Sequence, residues 1–140
     1  DYILNPDMEM PVQRIDGVEY IGVLQIPSLN LELPVISILS YPNLKIAPCR
    51  YEGSAYKDDL IIAAHNYVSF FGNLSKLQVG DPVIFKDVDG NEFVYEVAEM
   101  EVLQAAAVEE MRGGDWDLTL FTCTLSGQSR TTIRCLRMNI

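Results

Sequence analysis

The sequence predicts a mainly β protein, a closed β-barrel of seven to eight strands with short helices in the connections. Apolar segments rich in β-branched and aromatic residues recur along the 140 residues, and short turn signals separate most of them. Strand and helix patterns do not alternate regularly, which disfavours a layered α/β fold. The length fits one domain with one substantial hydrophobic core.

The first part of the chain predicts an arm and two strands. Residues 1–16 are polar and contain two prolines, so we assign them to an N-terminal arm or linker and residues 17–140 to the folded domain. The run YIGVLQI (20–26) is rich in strand-forming residues and ends at a proline. In LNLELPVI (29–36), leucine and valine alternate as they do on one face of a strand.

A loop and a buried strand are predicted next. Residues 40–59 contain two prolines, a glycine and little periodicity, and we expect a loop with one helical turn near residues 43–46. The apolar run that opens LIIAAHN (60–66) is typical of a strand buried on both faces, and His65 ends it.

The second half predicts β-hairpins and one short helix. The Asp-Gly pair in DVDGNEF marks a hairpin between a strand that starts at Val83 and the long strand FVYEVAEMEVL. The run AAAVEEMRGG has helical composition and ends at two glycines. A last pair of strands, WDLTLFTCT and RTTIRCLRM, flanks a turn at residues 126–129.

Charge and hydropathy exclude several kinds of partner. The net charge of −10 disfavours nucleic acid and anionic lipid as partners of the whole surface. Arg130, Arg134 and Arg137 lie within the last eleven residues, which contain no acidic residue, so a local positive patch is expected. No apolar run approaches the roughly 20 residues that cross a bilayer, and the first ten residues lack the features of a signal peptide.

The three cysteines are widely spaced and odd in number, which disfavours a disulfide framework or a zinc site. We expect Cys135 in the core and Cys49 partly exposed in its loop, and a disulfide between them stays open. The acidic segments 87–92 and 99–110 lack the spacing of an EF-hand, so we predict no metal site.

Three residues form a candidate catalytic set. Cys123 lies at the end of a predicted strand, where a side chain can face a cleft, and a hairpin would return Arg130 beside it. An ordinary thiol is only a few per cent thiolate at neutral pH and needs a nearby base or cation, and His65 is the only histidine. A guanidinium suits a developing oxyanion. The alternatives are a structural histidine and a buried, inert cysteine.

Four segments in order resemble the sortases, the cysteine transpeptidases of Gram-positive cell surfaces. TLFTC (119–123) resembles the TLxTC nucleophile motif of that family, and Arg130 leads an RxxxR strand after it. LIIAAHN resembles the strand that ends in the family's histidine. The segments FGNLSKLQVGDPVIF and GVLQIPSLNLELPV resemble the stretch after that histidine and the first two strands.

The resemblance implies a role for each residue of the set. Cys123 would be the nucleophile, His65 the proton donor and acceptor, and Arg130 the stabiliser of the transition state, with Arg134 as the competitor for that last role. The substrate-binding residues implied are Ala64, Asn66, Thr122 and Ser126. Ala64 departs from the family, which usually has glycine before the histidine, and its methyl group could narrow the pocket.

The resemblance also implies an activity and a location. The enzyme would cleave an LPxTG-like sorting signal of a secreted protein through a thioacyl intermediate and transfer that protein to an amine of a cell-wall precursor or a pilin lysine. No cofactor and no nucleic acid are implied. The location would be the extracellular face of the cell membrane, with an anchor outside this sequence. The alternatives are a non-catalytic peptide-binding homologue and a cysteine hydrolase; subclass, exact motif and a lid role for residues 1–16 stay open.

Overall fold

The computed structural model of the protein describes residues 1–123 and 128–138. Its strands are β1 (Gln13–Ile15), β2 (Val18–Ile26), β3 (Leu31–Ile36), β4 (Cys49–Glu52), β5 (Leu60–Ala64), β6 (Pro82–Asp87), β7 (Glu92–Gln104), β8 (Leu118–Cys123) and β9 (Ser129–Arg137). Its α-helices are α1 (Tyr41–Leu44) and α2 (Val108–Arg112), and single 3-10 turns lie at Pro27–Leu29, Ala55–Lys57 and Leu74–Lys76.

Eight of these strands close a barrel, which confirms the predicted mainly β, barrel-like fold. Around the ring the order is β2-β3-β4-β5-β8-β9-β7-β6, and β6 pairs back to β2. The pairs β3–β4 and β5–β8 are parallel, and the other pairs in the ring are antiparallel. The short strand β1 pairs with β2 outside the ring.

The core fills the barrel because the strands place alternate residues on its inner face. On β9, Ile133 and Cys135 are fully buried in this core, as the alternation predicts, while Arg130 and Arg134 belong to the opposite face. Every residue of β5 is buried, since a second, smaller cluster around Ile61 covers its outer face. The prediction of a strand buried on both sides is therefore confirmed.

Two strands, β1 and β4, were not predicted from the sequence, and β1 lies in the segment assigned to the arm. β4 lies in the segment predicted as a loop, and the same segment contains α1, close to the predicted helical turn. Four residues between a proline and a glycine show too little alternation to predict a strand, and pairing with β5 stabilises it. The prediction that Cys49 is partly exposed is wrong, because its side chain is fully buried at the start of β4.

The first residues of the chain pack at one end of the barrel. The ring of Tyr2 stacks on that of Tyr56 with centroids 4.7 Å apart, and Asp7 lies 3.6 Å from the ammonium group of Lys57. These partners precede β5, whereas His65 follows it, and five residues of strand span roughly 17 Å. The contacts therefore hold residues 2–7 at the end opposite His65. The division into an arm at residues 1–16 and a domain at 17–140 stays a prediction.

The barrel closes where Gly22 of β2 lies against β6. Gly22 pairs with Asp87, and a Cβ atom at this position would collide with the backbone carbonyl oxygen of Lys86. The close approach of the two backbones at this closing pair therefore requires glycine.

Gly22→Ala should lower the free energy of unfolding by about 3 kcal/mol or more, because the β2–β6 pair must separate to admit the methyl group. Gly90→Ala is the matched control: Gly90 has positive φ and open space around it, so its cost should be near 1 kcal/mol. Urea unfolding followed by circular dichroism measures both. Equal losses for the two variants would contradict this account of barrel closure.

Candidate active site

The three predicted catalytic residues meet at one end of the barrel. The parallel strands β5 and β8 are in register, with Ala64 paired to Thr122, and the next residues along these strands are His65 and Cys123. On the other side of β8, the backbone of Cys123 pairs with Arg130 of β9. Neighbouring strands are about 4.8 Å apart, so the backbone of Cys123 lies between those of His65 and Arg130.

A tightly folded loop follows His65 and fixes its surroundings. His65 is half-buried, its carbonyl oxygen accepts a hydrogen bond from the N–H of Phe71 at 3.3 Å, and its ring lies 5.0 Å from that of Tyr67. The loop turns so closely that a Cβ atom on Gly72 would lie 2.6 Å from the carbonyl oxygen of Asn66. The half-buried imidazole therefore stands beside an aromatic ring, at the edge of solvent.

Arg130 lies on the outer face of the barrel, over an aromatic ring. Its guanidinium carbon is 5.0 Å from the centroid of Phe121, which belongs to β8 and is only 3% exposed. The ring of Phe121 in turn makes an edge-to-face contact with Tyr51 of β4 at 5.2 Å and 83°. A guanidinium above a ring face gains electrostatic attraction and loses part of its contact with water.

An apolar groove of about 250 Å³ lies beside His65 and Arg130. Its lining residues are Leu39, Tyr41, Leu44, Tyr51, Ala63, Ala64, His65, Phe121 and Arg130. Tyr41, which is 82% exposed, stands at the N-terminus of α1 and forms part of the wall. The groove joins an imidazole and a guanidinium to a largely apolar surface, a combination typical of small-ligand and peptide sites.

Arg134, the competitor of Arg130, is engaged elsewhere. Its side chain is only 2% exposed, and its guanidinium donates hydrogen bonds to the backbone carbonyls of Glu110 and Met111 at 2.6 and 2.8 Å. It also donates to the hydroxyl of Thr119 and lies 3.4 Å from the carboxylate of Glu101. Because the C-terminal carbonyls of a helix lack partners within it, these contacts attach α2 to the barrel.

The predicted substrate-binding residues lie around the ends of β5 and β8. Ala64 is buried and lines the groove, and Thr122 is buried beside it in the β5–β8 register. Asn66 is half-buried in the loop after His65. Ser126 lies outside the described residues. Their roles in binding stay a prediction.

Cys49 and Cys135 are free thiols, so the disulfide that the sequence left open is not formed. Burial raises the pKa of the Cys49 thiol to about 11 and that of Cys135 to about 12. Both groups are therefore neutral at physiological pH, and neither is suited to act as a nucleophile.

The outer wall of the groove was not predicted from the sequence. Tyr51 and α1 fall in the segment predicted as a loop, and Phe121 occupies the variable position of the TLxTC motif. The sequence does contain one signal for this wall. Strand alternation puts Ala63 of β5 and Phe121 of β8 on the outer face of the barrel, where the two residues are paired. Within residues 1–123 and 128–138, no group of three or more metal-ligating side chains is found, and no helix is long and apolar enough to cross a membrane.

Comparison with known proteins identifies the family. A model of the sortase domain matches residues 24–137, which include the groove and all three predicted catalytic residues. The chain therefore belongs to the sortase family, as the four sequence segments indicated.

Relatives agree in sequence and in fold. Sortase A of Bacillus anthracis is 30% identical over 128 residues, which cover 84% of this chain and 59% of that protein. The sortase C1 of GBS Pilus Island 1 is 25% identical with a TM-score of 0.74, over 86% of this chain and 65% of the other. Sortase C1 of Streptococcus agalactiae shares the fold, with a TM-score of 0.78 and 24% identity over 98% of this chain and 75% of the other. This chain spans less than two thirds of the length of the first two relatives.

Arg134→Ala should lower the free energy of unfolding by about 3 kcal/mol or more, since it leaves the buried carbonyl of Met111, the partly buried carbonyl of Glu110 and the Glu101 carboxylate without their cation. Arg112→Ala is the matched control on the same helix. Arg112 makes an exposed ion pair with Glu52 at 2.5 Å, so its loss should lower the free energy of unfolding much less. Thermal unfolding measures both variants. An equal change in melting temperature would show that Arg134 does not fasten α2.

Alkylation should separate the three thiols. In the native protein at pH 8, iodoacetamide should modify neither Cys49 nor Cys135 rapidly, because both are buried and protonated. In denaturant, all three thiols should react. Peptide mapping by mass spectrometry locates the modified residues, with Cys123→Ala as the control. Rapid native labelling of Cys49 or Cys135 would contradict the burial described here.

Proposed function

We propose that this protein is a sortase-type cysteine transpeptidase in which Cys123, His65 and Arg130 carry out the reaction. The observation that supports the proposal is the strand register, in which the backbone of Cys123 lies between those of His65 and Arg130, two residues that line an apolar groove. Membership of the sortase family supports it.

In the first half-reaction, the Cys123 thiolate attacks the carbonyl carbon between threonine and glycine of an LPxTG-like signal. Negative charge develops on the carbonyl oxygen, and the Arg130 guanidinium stabilises it. The C–N bond then breaks, and protonated His65 gives its proton to the departing glycine amine. The products are a thioester on Cys123, neutral His65 and the released C-terminal peptide.

In the second half-reaction, an amine attacks the thioester carbonyl while neutral His65 accepts its proton. The C–S bond breaks, a new amide forms, and the thiolate–imidazolium pair returns. The two half-reactions together account for every bond and proton of the transfer, and neither uses a metal or a cofactor as a reactant.

The groove fits the apolar part of such a signal. Leu39, Leu44 and Phe121 supply apolar surface next to His65, and a leucine–proline segment would remove that surface from water. Ala64, Asn66, Thr122 and Ser126 are the proposed contacts nearer the scissile bond. The polar atoms of the site then fix the orientation of the carbonyl, as in other peptide sites.

We further propose that the acceptor is an amine of a cell-wall precursor or a pilin lysine. The name of one relative, the sortase C1 of a pilus island, supports the pilin alternative. Such substrates place the enzyme at the extracellular face of the cell membrane, anchored by a segment outside residues 1–140. A non-catalytic peptide-binding homologue is the second candidate, and the apolar groove alone would serve that function equally well.

Transfer can be tested with a panel of LPxTG-like peptides, with and without glycine or diaminopimelate, by chromatography and mass spectrometry. The wild-type protein should form the amine-ligated product, and Cys123→Ala should form none. Arg130→Ala should lower the rate roughly 100-fold to 1000-fold, the usual cost of one lost oxyanion donor. Arg14→Ala, which changes an exposed arginine of β1, is the control and should keep the wild-type rate.

The outcomes separate the candidate functions. Cleavage without ligation in the presence of amine would identify a hydrolase. Binding of a peptide without cleavage would identify the non-catalytic homologue. Cleavage retained by Cys123→Ala would exclude the proposed nucleophile, and a harmless Arg130→Ala would exclude the proposed role of this arginine.

A further inference from the structure

We propose that Phe121 is a positioning residue for Arg130, and that its ring holds the guanidinium at the reacting carbonyl. The inference rests on the proposed transpeptidase function and adds to it a residue with no reactive group of its own.

The contact joins two neighbouring strands diagonally. Cys123 pairs with Arg130 and Phe121 pairs with Thr132, so Phe121 and Arg130 are diagonal neighbours across β8 and β9. The guanidinium carbon lies 5.0 Å from the ring centroid, within the range of a cation–π contact. Phe121 therefore lies two residues before the proposed nucleophile, and its ring contacts the proposed cation.

The kind of contact matters for the chemistry. The N–H donors of a guanidinium lie in its plane, whereas a ring attracts its face. A partner ring can therefore hold the group while its edge stays suited to an oxyanion. The donors of Arg134 are bound to the carbonyls of Glu110 and Met111 and to the hydroxyl of Thr119. On the RxxxR strand, Arg130 thus contacts an aromatic ring, whereas Arg134 donates hydrogen bonds to carbonyl and hydroxyl oxygens.

The ring itself is held in place. Phe121 packs with Ile61, Ala63 and Met111 in the cluster outside the barrel, and Tyr51 meets it edge to face. These neighbours come from β5, α2 and β4, so three elements fix the plane of the ring. The packing of these elements therefore fixes the orientation of the Arg130 guanidinium. Without the ring, the long and flexible side chain of Arg130 would sample several orientations.

The test compares Phe121→Leu, which removes the ring, with Phe121→Tyr, which keeps it. Phe121→Leu should lower kcat for peptide transfer roughly 10-fold, in the range of one cation–π contact, and Phe121→Tyr should stay within about 3-fold of wild type. Since Phe121 also lines the groove, KM is measured separately. A change in KM with unchanged kcat would assign the ring to substrate binding and overturn the proposal.

A double-mutant cycle shows whether Phe121 acts through Arg130. In an Arg130→Ala background, Phe121→Leu should cause no further loss of kcat. The same 10-fold loss in both backgrounds would overturn the proposal. The matched control is Phe93→Leu, which removes the ring 4.7 Å from Arg137 at the opposite end of the barrel. It should lower the melting temperature and leave kcat per folded molecule unchanged.

A spectroscopic measurement keeps this inference separate from the proposed function. The side-chain Nε–H signal of Arg130 in a ¹⁵N-correlated NMR spectrum should carry a ring-current shift that Phe121→Leu removes and Phe121→Tyr retains. An unchanged signal in Phe121→Leu would overturn the contact itself. A wild-type protein that transfers no peptide would overturn the proposed function and the catalytic role of the contact, while an active wild type with an equally fast Phe121→Leu would overturn the inference alone.

Discussion

The parallel pairing of β5 with β8 is the constraint on which the candidate site depends. Antiparallel neighbours would put the ends of these strands at opposite edges of the barrel, whereas parallel neighbours bring His65 and Cys123 together. The antiparallel return of β9 then adds Arg130 on the other side of Cys123. His65 is thus brought close to Cys123 and Arg130, which lie far from it in the sequence, by the hydrogen-bond pattern of the sheet. Each of the three stands at the end or the start of a rigid strand.

The sequence was sufficient to predict the barrel, while the catalytic roles of His65, Cys123 and Arg130 stay a prediction. Strand alternation, the Asp-Gly hairpin and the short apolar run of β5 are local signals, and local signals predict strands well when turns separate them. The order of the strands around the ring is not local. It was not predicted, because no periodicity in the sequence indicates that β5 and β8 lie side by side.

The parts that could not be predicted depend on tertiary contacts. β4 has four residues, and its stability comes from β5. Arg134 has the same residue type and nearly the same position as Arg130, and only the location of α2 shows that one fastens a helix while the other faces the groove. The place of the N-terminal residues likewise follows from the rings of Tyr2 and Tyr56, since a polar arm with two prolines contains no signal for where it packs.

The central claim is that Cys123, His65 and Arg130 act on one bound peptide carbonyl, and a crystal structure with a sorting-peptide analogue linked to Cys123 through a disulfide tests it most directly. The account predicts that the apolar residues of the peptide lie against Leu39, Tyr51 and Phe121, and that the group replacing the scissile carbonyl lies within hydrogen-bond distance of the Arg130 guanidinium. A peptide that leaves this groove empty, or one that approaches Arg134 while Arg130 points away, would contradict it.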